Sequence, residues 1–195
     1  MKLDKVLPFA RRLLKLAVGD GDIAVDATIG NGHDTAFLAE LVGQKGKVYG
    51  FDIQGAAVKS TKLRLQNSGL AENAVLFHTG HEHILASIPN DHFGKISGAI
   101  FNLGYLPGGD KSIVTKSTTT ISALKQLLEI MAPEGIIVLV IYHGHQDGDH
   151  ERDDLLQYVV ELDQKKAHVL QYQFINQINS PPFIIAIEKI ADSLD

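Results

Sequence analysis

The stretch VDATIGNGHDT, residues 25–35, limits the fold more than any other part of the chain. Ile23, Val25 and Ala27 read as a buried strand. Gly30 and Gly32 follow, and glycine there lets the backbone take positive φ and approach a ligand closely. His33, Asp34 and Thr35 then open a helix whose first N–H groups have no partner within the helix and face back toward the turn. A strand, a glycine loop and a helix start in this order form a cradle for a nucleotide-like group at the edge of a parallel sheet.

Two acids say more about that group. Asp26 lies inside the strand, beneath the loop, where it can accept hydrogen bonds from loop amides or reach a cationic ligand portion through water. Asp52 ends the next strand, KVYGFD, about 20 residues on, where a carboxylate can hold ribose hydroxyls. The dinucleotide pattern G-x-G-x-x-G is incomplete, because Thr35 stands where the third glycine belongs. Acid, G-x-G loop and second acid at a strand end form the pattern of a class I S-adenosylmethionine (SAM)-dependent methyltransferase.

The rest of the chain has the alternation such a fold requires. Helices are expected over 4–18, 34–42, 55–68, 81–88, 113–131 and 151–165, and strands over 23–27, 47–52, 74–78, 95–102 and 136–142. The run IIVLVIY, 136–142, is apolar on both faces, as a central parallel strand should be. HVLQYQFIN and PFIIAIEKI read as two last strands joined through Ser180-Pro181-Pro182 and able to pair antiparallel. The expectation is an α/β fold with one doubly wound, seven-stranded, Rossmann-like sheet over residues 1–195. Residues 1–20 would supply a helix packed on it, with Phe9, Leu13, Leu16 and Ala17 facing inward.

Composition removes several alternatives. The 195-residue chain has no cysteine, hence no disulfide framework, thiolate metal site or cysteine nucleophile. No apolar run reaches the roughly 18 residues of a membrane span, and no secretory leader is read at the start, so the expected location is the cytoplasm. The net charge of −5 leaves a grip on nucleic acid to a local basic surface, for which Lys2, Lys5, Arg11, Arg12 and Lys15 are the candidates. There is neither a G-x-S-x-G nucleophile elbow nor a Walker loop.

Ligands of doubly wound sheets bind at the carboxyl ends of the strands. Those positions hold Thr28 to Gly32, Asp52-Ile53-Gln54, HTGHEH (78–83), NLGYLPGGDK (102–111) and HGHQDGDH (143–150). Asn102-Leu103-Gly104-Tyr105 resembles the (N/D)-P-P-(Y/F) motif of methyltransferases that act on nitrogen, with Leu103-Gly104 in place of two prolines. An amide oxygen at Asn102 can accept N–H groups of a nitrogen nucleophile and aim its lone pair, while Tyr105 can stack on a base. His81 is expected beside the cofactor, and His143 and His145 on the acceptor side, where neutral imidazole can take a proton. No metal is expected, since neither histidine cluster has H-E-x-x-H spacing.

The segments VLPFARRLL, VDATIGNGHDT, FDIQ, FNLGYLPGGDKS, VIYHGHQDG and NSPPFIIAIEK together resemble a bacterial family labelled rRNA methylases (YtqB-like) and linked to tRNA wobble-uridine modification (MnmM-type). The resemblance implies a class I fold, SAM as donor, the primary amine of 5-aminomethyl-2-thiouridine in the tRNA anticodon as acceptor, and a homodimer. It implies a cofactor site at Asp26, Gly30, Asn31, Gly32, Asp34, Thr35, Asp52, Gln54, His81 and Asn102, beside which stand Thr28, Ile53 and Glu82. The catalytic set would be Asn102, Tyr105, His143 and His145. The residues themselves reach only a nitrogen methyltransferase, and leave ribosomal RNA, a small amine or a non-catalytic RNA- or cofactor-binding role as alternatives.

Overall fold

The computed structural model describes residues 2–105, 108, 114–143 and 146–190. One seven-stranded sheet runs through it in the order β3-β2-β1-β4-β5-β7-β6. Its strands are β1 (Ile23–Asp26), β2 (Lys47–Phe51), β3 (Ala74–Phe77), β4 (Ile96–Leu103), β5 (Met131–Ile141), β6 (Ala167–Tyr172) and β7 (Phe183–Lys189). The first five are mutually parallel, and β7 lies antiparallel between β5 and β6. The strand order reverses between β1 and β4, which opens a crevice at their carboxyl ends.

Neighbouring strand residues point to opposite faces, so each strand feeds two cores. Ala24, Val48, Ile100 and Val138 join the first core, which is closed by α1 (Val6–Ala17), α2 (His33–Val42) and α3 (Gly55–Asn67). Val25, Phe51, Phe101 and Leu139 join the second, which is closed by α4 (Ile84–Ser87), α5 (Ser117–Ile130) and α6 (Gln146–Val160). Helix α1 enters through Val6, Ala10, Leu13 and Leu14. Phe9 stacks on Tyr172 with ring centroids 3.9 Å apart, and the Tyr172 hydroxyl donates to the Asp4 carbonyl at 2.7 Å. Gly98 makes room for this packing, because a Cβ there would come within 2.5 Å of Val18 Cγ2.

Four expectations change. Leu16 is 74% exposed, because the inward stripe of α1 is centred on Ala10, Leu13 and Leu14 and turns Leu16 away. β5 begins at Met131 rather than Ile136. Met131 pairs with Ile96 and Ile136 with Gly98, so Pro133, Glu134 and Gly135 form an irregularity inside the strand, with Glu134 at φ 63°. Pro133 is accommodated there because a bulged residue owes no ladder hydrogen bond. α6 starts at Gln146, inside the glycine-containing segment read as loop, and ends at Val160, five residues short of the expected 165. Segment 81–88 is a short turn of 3₁₀ helix, His81–His83, continued by α4. No helix among the described residues is long and apolar enough to cross a membrane.

Candidate active site

The glycine loop is built by side chains from three neighbouring elements. Gly30 has φ 53°, and Gly32, the N-cap of α2, has φ 75°. Helix α3 braces the loop from outside: the Thr61 hydroxyl donates to the Gly30 carbonyl at 3.3 Å and Arg64 Nε to the Asn31 carbonyl at 2.8 Å. Asp52, just beyond β2, accepts the Gly30 N–H at 3.0 Å and the Gln54 N–H at 2.9 Å. Its carboxylate is therefore fixed in the crevice before any ligand arrives.

Asp26 is fully buried. It accepts the Thr28 N–H at 3.2 Å and the Thr35 hydroxyl at 2.6 Å, tying the end of β1 to the first turn of α2. Of the two roles expected for it, the geometry favours holding the loop. Burial pushes its carboxyl up to about 7, with the Asp34 charge adding to the rise, the Thr35 and Thr28 hydrogen bonds opposing it, and Asp52 contributing least. From the ordinary value of 3.8 to about 7, the folded chain holds a proton that the unfolded chain has lost. This group's contribution is thus complete below about pH 4, falls as pH rises through that window and stays flat above it. The loss is about 4 kcal/mol at most, at roughly 1.4 kcal/mol per pKa unit. Urea unfolding of wild type and Asp26→Asn at pH 5 and pH 8 should show the wild-type advantage shrinking with pH; an unchanged gap would contradict the linkage.

His81 lies in the wall of the crevice. Its Nδ1 is 3.0 Å from the Ala27 carbonyl, which fixes the tautomer with N–H on Nδ1. Among the described residues its buried Nε2 has no hydrogen-bond partner. Burial lowers its pKa, offset in part by the Ala27 hydrogen bond, so at neutral pH Nε2 is a bare acceptor.

On the other side of the crevice, the Asn102 N–H donates to Thr28 Oγ1 at 2.7 Å and Asn102 Nδ2 to Asp34 Oδ2 at 2.9 Å. Asp34 Oδ1 in turn accepts Arg11 Nε at 3.1 Å and Nη2 at 2.9 Å from α1. Gly104 sits at φ 150°, a conformation closed to proline, so the second proline of the motif could not stand here. The following loop closes at its base: Tyr105 bridges Val114, the Thr115 N–H donates to the Gly104 carbonyl at 3.1 Å, and the Gly104 N–H to Thr115 Oγ1 at 3.0 Å. Thr115 Oγ1 donates to the buried Glu151 of α6 at 2.6 Å.

Two cavities meet at this point. A narrow one of about 300 Å³ is lined by Ala27, Thr28, Gly30, Asp52, Ile53, Gln54, His81 and Glu82, with Lys116 and Thr119 from the far wall. A wide cleft of about 1110 Å³ is lined by Arg11, Arg12, Lys15, Asn31, Asp34, Phe37, Tyr142 and His143. Thr28, Gly30, Asn102, Gly104 and Tyr105 line both. Asp26, Gly32 and Thr35 line neither and support the loop from behind. The fixed Asp52 carboxylate and the close approach of backbone at Gly30 suit the adenosine part of SAM, which the narrow cavity would hold.

His143 reaches the wide cleft, but its Nε2 is 3.0 Å from the Pro181 carbonyl and its Nδ1 3.5 Å from Arg152 Nη1. That is a bracing geometry and does not bring it forward as a proton acceptor. His145 lies outside the described residues, as do Leu106, Pro107 and residues 109–113. Among the described residues no three His, Asp or Glu side chains gather as a metal site would need. Sequence reasoning missed Thr61, Arg64, Tyr142 and Lys116. The first two carry a faint signal, a hydroxyl and a guanidinium three residues apart on one face of α3.

Comparison with known proteins agrees with this geometry. A family model described as "Putative rRNA methylase" matches residues 48–188. The chain is 34% identical over 193 residues to the chloroplastic tRNA (mnm(5)s(2)U34)-methyltransferase of Arabidopsis thaliana, covering 95% of this chain and 70% of that protein. A Clostridium thermocellum crystal structure with the family's description superposes with a TM-score of 0.94 at 42% identity, over 97% of this chain and all of that one. SMU.1697c of Streptococcus mutans, solved in complex with SAH, superposes at 0.87 with 38% identity, over 96% and 99%. With its family matched over most of its length and its sheet, loop and crevice those of a class I enzyme, the chain belongs to this rRNA methylase family and is a SAM-dependent methyltransferase.

Proposed function

We propose that the chain methylates the primary amine of 5-aminomethyl-2-thiouridine at the wobble position of tRNA. The observation that carries this is the place of Asn102. It stands where the narrow cavity opens into the wide cleft, with its NH₂ turned to Asp34 and its carbonyl oxygen, among the described residues, left to accept. An oxygen acceptor at that junction suits a nucleophile that bears N–H groups. The name of the Arabidopsis relative supplies the nucleoside.

SAM, when bound, supplies an electrophilic methyl group on a sulfonium sulfur. The chain holds the two partners in line. Asp52 and His81 position the adenosine side, Asn102 accepts an amine N–H, and Tyr105 offers a ring to the base. In-line attack by the amine would take the methyl group from sulfur, which would keep the electron pair of the broken carbon–sulfur bond. The nitrogen then gives its extra proton to water.

The wide cleft suits a polynucleotide. Arg12 and Lys15 of α1 line it beside Phe37 and Tyr142, although the chain as a whole carries −5. Arg12→Ala and Lys15→Ala should each weaken RNA binding and lower the slope of log K against log salt by about 0.7, the value for one phosphate contact on a single strand. SAM affinity should not move. Slopes equal to wild type would take α1 out of the RNA interface.

The deciding experiment is transfer from labelled SAM to bulk tRNA from cells that lack this gene, followed by nucleoside analysis. Label in 5-methylaminomethyl-2-thiouridine is expected. SAM binding with label only in ribosomal RNA, or in none, would overturn the tRNA assignment.

A further inference from the structure

Asp34 lines the wide cleft and not the narrow cavity, and its carboxylate is spent entirely on other side chains. Oδ2 takes the Asn102 NH₂ and Oδ1 takes a fork of two N–H groups from Arg11. Its side chain is only 15% exposed. A carboxamide has the same shape in its two flipped orientations, and only its partners choose between them. A carboxylate accepts and cannot donate, so Asp34 admits one orientation: NH₂ toward itself, oxygen away.

We propose that Asp34 is a positioning residue that sets the acceptor chemistry of the site by locking Asn102 with its oxygen outward, with Arg11 holding Asp34 in register from α1. The assignment deepens the amine reading above and rests on it. With the oxygen outward, the site pairs with nucleophiles that donate N–H. With the amide reversed, it would offer N–H groups and leave a donor nucleophile unmatched.

Swapping the two side chains tests this. In Asp34→Asn the Arg11 fork holds the new amide oxygen on its own side and turns the NH₂ toward Asn102, which favours the reversed Asn102 amide, so kcat should fall about 10-fold or more while KM for SAM stays within about 2-fold. In Asn102→Asp two carboxylates face each other across the same contact, and kcat should fall about 100-fold or more. In the double variant Asp34→Asn/Asn102→Asp, the amide introduced on α2 would donate its NH₂ to the carboxylate introduced on β4, whose other oxygen again faces the acceptor. Activity should recover about 10-fold over Asn102→Asp alone.

A second readout is independent of turnover. Sinefungin carries an amine where SAM carries its methyl, and SAH carries nothing there. The ratio of sinefungin to SAH affinity should drop in Asp34→Asn and return in the double variant. Thermal melting with SAH reports that each variant is folded. Wild-type kcat and ratio in Asp34→Asn, or a folded double variant no better than Asn102→Asp, would overturn the proposal. If wild type labels no tRNA nucleoside, the substrate reading fails, while the sinefungin ratio still decides the role of Asp34.

Discussion

Gly32→Ala is expected to abolish SAM binding, with affinity down about 100-fold or more. Two independent costs fall on one methyl group. At φ 75° an L side chain is strained by roughly 1 kcal/mol or more. The new Cβ would also lie 2.6 Å from Thr61 Oγ1 and 2.8 Å from Thr61 Cγ2, closer than atoms pack. Thr61 cannot simply turn aside, because its hydroxyl holds the Gly30 carbonyl and its side chain is fully buried. The loop must shift, and with it the Gly30 N–H that fixes Asp52. Calorimetry with SAH should show the loss, and melting should show a lower Tm. Adding Thr61→Ser, which removes the methyl and keeps the hydroxyl, should restore part of the stability and little of the affinity, because the φ strain and the close approach to the hydroxyl oxygen both remain. Wild-type affinity in Gly32→Ala would mean that the loop does not approach the cofactor as described.

Asn102→Ala is expected to lower kcat about 100-fold or more while SAH affinity changes less than about threefold. The separation follows from the way this residue is held. Its backbone N–H bonds Thr28 Oγ1 whatever the side chain, so the β4 end and the cofactor wall keep their geometry. Asp34 loses one donor and keeps the Arg11 fork, so the scaffold survives. What disappears is the oxygen at the junction of the two cavities. Single-turnover rates with saturating SAM and tRNA would measure this directly. A variant that turned over at the wild-type rate would remove Asn102 from the chemistry and leave the loop carbonyls to orient the amine.

The fold, and the side of the sheet at which to look for a ligand, were legible in the order of the residues. Strand–helix alternation, the apolar run 136–142 and the glycine loop with its two acids, Asp26 and Asp52, are local features. Backbone geometry turns them into a parallel sheet with a ligand crevice at its carboxyl edge. Gly30, Gly32, Asp52, His81 and Asn102 could be picked out for the same reason, each lying at a strand end or in the loop that follows. What surrounds and holds those residues was decided by packing. Whether Asp26 touches a ligand or holds the loop depends on Thr28 and Thr35 closing around it. That Asp34 serves Asn102 depends on Arg11, 23 residues earlier, arriving on the far side of the same carboxylate. That His143 braces a turn depends on Pro181, 38 residues later. The outer wall of the wide cleft depends on α1 packing over β4, β5 and β7 on one face of the sheet. Periodicity and spacing report neighbours a few residues apart. A side chain's role here is set by its hydrogen-bond partners, and those are brought together only when helices from distant parts of the chain pack on one sheet.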